Sequence, residues 1–228
     1  MLLLQKNCLW LLLACLWLMP VTVFGATPFS SMIKGKAVEP EPSWSLDIKG
    51  GTFAPAIPDW EQFYGDDKMG RFAASLAYKV SRYIEVGMEG GLSRDHGKGY
   101  LPLNAIVGGD VTYELYPLNV YINLVGAFYE NQLLVPYVGG GWTRAYYKMA
   151  ISNQEDIKGS VDGTHVKGGV RVLLDGMAKG DARNLQAKYG IDNTYLFLEF
   201  QTITAKADVT PEVDIGGDSY LLGILFEY

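Results

Sequence analysis

The residues of this 228-residue chain that could do chemistry are two histidines and a scatter of charges. His165 follows Ser160 and Asp162 closely, and hydroxyl, carboxylate and imidazole are the materials of a hydrolytic centre. No spacing here fixes such a triad, and a lone rim histidine is the plainer reading. Both cysteines, Cys8 and Cys15, fall inside an N-terminal apolar stretch. The rest of the chain therefore holds no disulfide, thiol nucleophile or cysteine-ligated zinc. Acids gather in three segments: Asp59, Glu61, Asp66 and Asp67; Glu155, Asp156 and Asp162; Asp208, Glu212 and Asp214. Their oxygens suit a divalent cation bridging to phosphates, but no run matches a calcium loop, and solvated loops are favoured. The reading is of a protein that is not an enzyme, with no catalytic residue, cofactor or metal site.

The remaining charges are more orderly. Eight stretches alternate with period two, at about 43–54, 70–81, 82–93, 117–129, 135–149, 164–174, 193–205 and 218–228. One side of each is apolar: Trp44, Leu46 and Ile48; Phe72, Leu76, Tyr78 and Val80; Leu118, Val120 and Ile122; Leu196, Leu198 and Phe200. In the fifth stretch Tyr137, Thr143 and Tyr147 are assigned to that side. The other side collects Asp47, Lys49, Arg71, Lys79, Glu85, Glu89, Arg144, Lys148, Lys167, Arg171, Glu199 and Glu227. Five stretches carry two charges, and in each the pair agrees in parity, which chance gives roughly one time in 32.

Alternation alone fits a soluble sandwich or barrel as well as a membrane barrel. The polar side decides between them, because it mixes glycine with charges of both signs while the apolar side is continuous. That suits a narrow polar interior inside a lipid-facing belt. Trp44, Tyr83, Tyr129, Tyr137, Tyr195, Phe226 and Tyr228 fall near strand ends, where an interfacial aromatic girdle belongs. In a closed barrel the last strand pairs with the first, so "SYLLGILFEY" can stay structured to Tyr228. An eight-stranded interior has room for side chains and little for a channel. Five acids against seven bases point to a salt-bridged plug, with a small anion-favouring pore as the alternative. A net charge of −6 without a basic stripe excludes a nucleic-acid partner.

Residues 1–25, with Lys6 ahead of a long apolar run and small residues at "VFGA", read as a secretory signal peptide. A membrane anchor and a lipoprotein site at Cys15 are the competing readings. Residues 26–42 form a flexible lead-in and 43–228 a single barrel domain. Residues 177–189, with Ala178, Ala182, Leu185 and Tyr189 on one face and Gly190 beyond, read as a short helix. "DWEQFYG" (Trp60, Phe63, Tyr64) fits an outer aromatic girdle better than a binding site.

The terminal "LLGILFEY", the stretch "VPYVGGGWTRAYY" at 135–147 and the eight-strand spacing resemble the small outer-membrane barrels of the OmpA, OmpX, OmpW and opacity-protein type. The resemblance implies an all-β, eight-stranded antiparallel transmembrane barrel in the bacterial outer membrane. It also implies that Ile224, Phe226 and Tyr228 form the C-terminal signal read by the outer-membrane assembly machinery. Its expected partners are outer-membrane lipid and lipopolysaccharide, and its expected state is a monomer. Both termini would be periplasmic, with 55–69, 94–116, 150–163 and 206–217 as outer loops. The turns at 81–82 and 130–134 and the segment 175–192, which carries the helix, would be periplasmic. A structural or surface-interaction role is favoured. A narrow pore or a path for hydrophobic molecules comes second, and a lipid A-modifying enzyme using His165 third.

Overall fold

A strand with one apolar and one polar face needs neighbours on both edges, and closure supplies them without leaving an open edge. The computed structural model describes residues 43–58, 60–101, 106–129, 132–151, 155–175, 186–207 and 213–228. The signal-peptide and lead-in assignments therefore lie outside the described residues. The long strands are β1 (Ser43–Pro55), β2 (Met69–Ser81), β3 (Ile84–Leu101), β4 (Ile106–Val125), β5 (Leu134–Ile151), β6 (Ile157–Leu173), β7 (Asn193–Thr204) and β10 (Gly217–Glu227). They form a closed antiparallel barrel in the order β1-β10-β7-β6-β5-β4-β3-β2. Between β7 and β10, β8 (Lys206–Ala207) and β9 (Val213–Asp214) pair as a small separate hairpin.

Register fixes the size of the barrel. Paired residues followed around from Ser45 run through Ala77, Gly87, Tyr121, Gly141, His165, Ile203 and Gly217. They return to β1 at Pro55, ten residues on. Eight strands with that stagger tilt by about 40° and leave a bore that side chains can fill. Where rings cross the bore, the facing strand carries glycine. A Cβ on Gly87 would stand 2.6 Å from the Tyr121 ring, and one on Gly169 would stand 2.8 Å from the Tyr137 ring.

On the outer face, Leu198, Phe72, Leu118, Ile122 and Tyr220 belong to an exposed apolar belt. Among the described residues no helix is long and apolar enough to cross a membrane; the belt is made by strands. The chain closes on itself to the end: Tyr228 N donates to Trp44 O at 2.8 Å and Trp44 N to Tyr228 O at 3.2 Å. Of the expected helix, the described part is one helical turn at 186–189; 176–185 lie outside the described residues.

Two expectations about the connections change. The expected loop 94–116 is mostly a β3–β4 hairpin, with only residues 102–105 between the strands, and β5 and β6 likewise run on to Ile151 and from Ile157. Beyond the apolar belt the outward face turns polar while Tyr113 and Leu115 fill the inside, so the apolar-outward pattern lapses while the ladder continues. The first loop is also ordered. Helix α1 (Trp60–Tyr64) ends at Gly65, whose N–H donates to Glu61 O at 2.8 Å with φ at 80°, a conformation glycine adopts freely.

Candidate functional site: the barrel interior

Inward positions are odd-numbered on every long strand, so charges from distant parts of the chain meet in the bore. In the middle, Lys49 Nζ lies 2.5 Å from Glu89 Oε2 and 2.7 Å from Glu199 Oε1, with Asp47 Oδ1 at 3.8 Å. Lys167 approaches the same two glutamates at 3.6 and 3.9 Å and sits over the Tyr121 ring, 3.2 Å from its centroid. Arg71 reaches Glu89 at 3.4 Å and donates to Gln201 Oε1 at 2.6 Å and Ser219 Oγ at 2.9 Å. Glu89 also accepts from Asn119 Nδ2 at 2.9 Å, and Glu199 from the Tyr137 hydroxyl at 2.8 Å. Glu89 thus gathers three cations and several neutral donors, which is what makes a buried carboxylate tolerable.

A second layer lies toward the termini. Arg171 forks onto Glu85 with both contacts at 2.7 Å, and Asn123 adds a third donor at 3.3 Å. Beyond it Lys79 pairs with Glu227, which also accepts from Asn193 at 3.0 Å. A cup of about 350 Å³ opens at this mouth, lined by Lys79, Arg82, Arg171, Tyr195 and Glu227 among others. Arg171, one of its lining residues, is 4% exposed and holds Glu85, 1% exposed.

Toward the loops the filling turns apolar. Phe53, Met69, Leu115, Ala145, Ile203 and Tyr113 are buried there, and α1 lowers Trp60 among them. Trp60 stacks on Tyr64 at 3.9 Å and meets Tyr113 edge-on at 5.1 Å. Burial, and the Asp95 carboxylate nearby, push the Tyr64 phenol up to about 12. Trp60 and Tyr64 are therefore an inward plug, not an outer girdle; the Phe63 side chain lies outside the described residues.

The structure places Asp47, Lys49, Arg71, Glu85, Glu89, Lys167, Arg171, Glu199 and Glu227 buried in the bore, and Lys79 at its termini-side mouth. Arg144 and Lys148 are corrected: both lie on the outer face, because β5 buries Val135, Tyr137, Thr143 and Ala145 and turns Val138, Trp142 and Tyr146 outward. Thr143, expected to face outward, is fully buried. Lys148 sits near the loop end of β5, past the apolar belt, and Arg144 lies at the belt's loop-side margin opposite Leu118, where the exposed Ser160 and Asp162 receive its charge. Without them the interior holds five acids against five bases, and the positive excess that favoured an anion pore disappears. Tyr137 and Tyr195 also leave the girdle for the interior.

His165 is not at a rim. It is 2% exposed, its Nδ1 lies 2.8 Å from Thr143 Oγ1, and Tyr121 meets it edge-on. Ser160 and Asp162 are on the opposite face of β6, where Arg144 reaches them at 3.3 and 3.7 Å. Odd and even positions of one strand cannot converge, so these three residues form no triad. The neutral members of the network, Asn119, Thr143, Gln201, Tyr121 and His165, escape a reading that follows charge alone. Gln201 shares the parity of Glu199, and His165 that of Lys167 and Arg171, which marks those two; Asn119, Tyr121 and Thr143 lie on β4 and β5, where the charges are even-numbered, and no charge of their own strand marks them.

The acidic segments scatter. Asp214 Oδ1 caps the hairpin base, accepting from Ala205 N at 2.9 Å and Gly216 N at 2.8 Å. Asp156 is held below the ordinary carboxylate range, chiefly by its hydrogen bond with Lys148. Asp59, Asp208 and Glu212 lie outside the described residues. Among the described residues no three acids, histidines or cysteines gather as a metal site.

No protein-family model and no curated protein matches this chain. Solved structures do. OprG from Pseudomonas aeruginosa superposes with a TM-score of 0.57 at 11% identity, covering 82% of this chain and 96% of that one. Neisserial surface protein A gives 0.55 at 11% identity, covering 82% and 100%. Ail, the attachment invasion locus protein of Yersinia pestis, solved with the heparin analogue sucrose octasulfate, gives 0.50 at 10% identity, covering 82% and 99%. At such identities the likeness carries the fold alone: this chain is an eight-stranded antiparallel barrel of the kind seen in small bacterial outer-membrane proteins.

Proposed function

We propose that the chain is a bacterial outer-membrane barrel with a sealed bore, acting as a structural or surface-interaction protein and not as a pore or an enzyme. The observation that carries this reading is the network around Glu89, in which Lys49, Arg71 and Lys167 converge on one buried carboxylate at mid-barrel. Solvating any one of these groups separately would mean breaking contacts with the others, so the network resists opening. The apolar belt supports a membrane location. On this reading the termini face the periplasm, and the alternating Ile224, Phe226 and Tyr228 are what the assembly machinery reads. The loop side then faces outward, and contact with partners falls to α1, the β8–β9 hairpin and the extended β3–β6 strands.

The alternative of a narrow pore, or a path for small solutes or hydrophobic molecules, has one observation in its favour: the loop-side half of the bore is apolar. That half is filled by Trp60 and Tyr64, and the charged middle closes the route beyond it. Lipid modification would need a reactive centre, and His165 is separated from Ser160 and Asp162 by the full thickness of the barrel wall. The test is solute entry into liposomes carrying the folded protein. Swelling in a small sugar no faster than protein-free liposomes supports the sealed bore; swelling that scales with protein content overturns it.

A further inference from the structure

The cup at the termini-side mouth is a feature that the sealed middle does not require. Its volume is about 350 Å³, at the small end of ligand-binding pockets. Three bases line it, Lys79, Arg82 and Arg171, against one acid, Glu227. Two of the bases are already paired. Lys79 meets Glu227, and Arg171 gives Nη1 and Nη2 to Glu85. Arg82 differs. It stands exposed in the turn between β2 and β3, 5.6 Å from the centroid of the Tyr83 ring, and makes no ion pair with any described residue. Asp175, which accepts from Thr194 N at 3.2 Å, and the terminal Tyr228 do not line the cup. The lining therefore keeps one positive charge without a counter-charge.

A second group in the same cup lacks a partner. Tyr195 lines it and is 8% exposed, yet its hydroxyl makes no hydrogen bond to any described residue. A buried phenol ordinarily finds one, and Tyr137 in the same bore does, donating to Glu199 at 2.8 Å. The wall beside Tyr195 is hydrocarbon. Val125 and Val135 belong with it to one buried apolar cluster, Ala127 packs against that cluster, and all three line the cup. This combination selects a class of ligand. A cation and a hydroxyl that both lack an acceptor call for an anionic head, and a single uncompensated charge matches a monoanion. The hydrocarbon wall calls for a body that gains by leaving water. An inorganic anion would leave that wall unused, and a neutral hydrocarbon would leave Arg82 and Tyr195 unmet.

We propose that the termini-side cup binds a small organic monoanion, a carboxylate carried on an aromatic or other apolar body. Arg82 meets the carboxylate, the Tyr195 hydroxyl donates to it, and the body lies against Val125, Ala127 and Val135. Binding here needs the folded barrel alone, so a bore that conducts would not by itself undo it.

The test uses the full chain folded in detergent micelles, with the fold checked by β-sheet circular dichroism. Naphthoate is titrated in by isothermal calorimetry, with protein-free micelles as the baseline. Naphthamide, of the same shape without the charge, is the control. The expected result is saturable binding of naphthoate, roughly tenfold tighter than naphthamide. Arg82→Gln should weaken naphthoate about tenfold and leave naphthamide unchanged, and Tyr195→Phe should weaken naphthoate about threefold. Arg144→Gln, on the outer face toward the loops, should leave naphthoate binding as it is, and added sodium chloride should weaken it in the unaltered protein. If Tyr195→Phe does not fold, Arg82→Gln, in an exposed turn, decides the matter. Heats no greater than those of protein-free micelles, naphthamide bound as tightly as naphthoate, or naphthoate affinity unchanged in the folded Arg82→Gln variant would each overturn the proposal.

Discussion

Midway along the bore, inward positions hold Lys49, Glu89, Lys167 and Glu199 in mutual contact. A few residues toward the loops they hold Phe53, Met69, Leu115 and Ile203, with Trp60 inserted from α1. One barrel is therefore filled by charge in one region and by hydrocarbon in the next. The two fillings seal differently. Hydrocarbon packing is local and forgiving, since a lost side chain leaves a cavity that neighbours partly fill. The charged region is a single connected set, so a lost member strands the others in a low-dielectric bore.

Removing the hub tests that contrast most severely. Glu89→Ala leaves Lys49, Arg71 and Lys167 short of their shared acceptor and should cost about 3–5 kcal/mol, measured by urea titration of the protein folded in lipid vesicles. A cost near that of an ordinary surface substitution would mean the cations find water, and the middle is not sealed. On the lipid side of the same ring, Leu198→Lys should cost about 2–4 kcal/mol near mid-membrane. Normal folding efficiency into vesicles would place Leu198 outside the belt.

Trp60→Ala probes the hydrocarbon region. Large-to-small changes at buried aromatics cost about 3–5 kcal/mol; here the lower end, about 3 kcal/mol, is expected, because α1 can resettle on Tyr113. The same urea titration reads it, and the charged middle should remain closed. The smallest effect should come from Arg144→Ala, under about 1 kcal/mol, because its partners Ser160 and Asp162 are exposed on the outer face. A loss of several kcal/mol there would return Arg144 to the interior and undo the assignment of β5.

That strand shows where the sequence is legible and where it is not. Period two fixes that Arg144 and Lys148 share a face, but which face depends on depth in the membrane, and depth is not written in the alternation. On β1, β3 and β6 the charges lie at belt height opposite apolar partners, so parity and burial coincide. On β5, Gly139, Gly140 and Gly141 blank out the contrast, and the charges sit at the belt's loop-side margin (Arg144) and beyond it (Lys148). A related cause hides the long β3–β4 hairpin: past the belt the apolar side changes from outward to inward, with Tyr113 and Leu115 buried, and a pattern read as apolar-outward breaks off there. Helix α1 escapes detection because its five residues are too few for a helical period, and Trp60 is held by barrel side chains from remote strands. Strand number, closure and the pairing of the last strand with the first need none of these details, and they are readable. The composition of the charged set is largely readable from parity, whereas its hub is not, since Lys49, Glu89 and Glu199 meet only through the register.

The most direct test of the sealed bore is single-channel recording in a planar bilayer, comparing the unaltered protein with Glu89→Ala. A sealed bore predicts a silent membrane for the folded, unaltered chain, with current, if any, arising only when the hub is removed. Discrete, reproducible openings of the unaltered protein would contradict it.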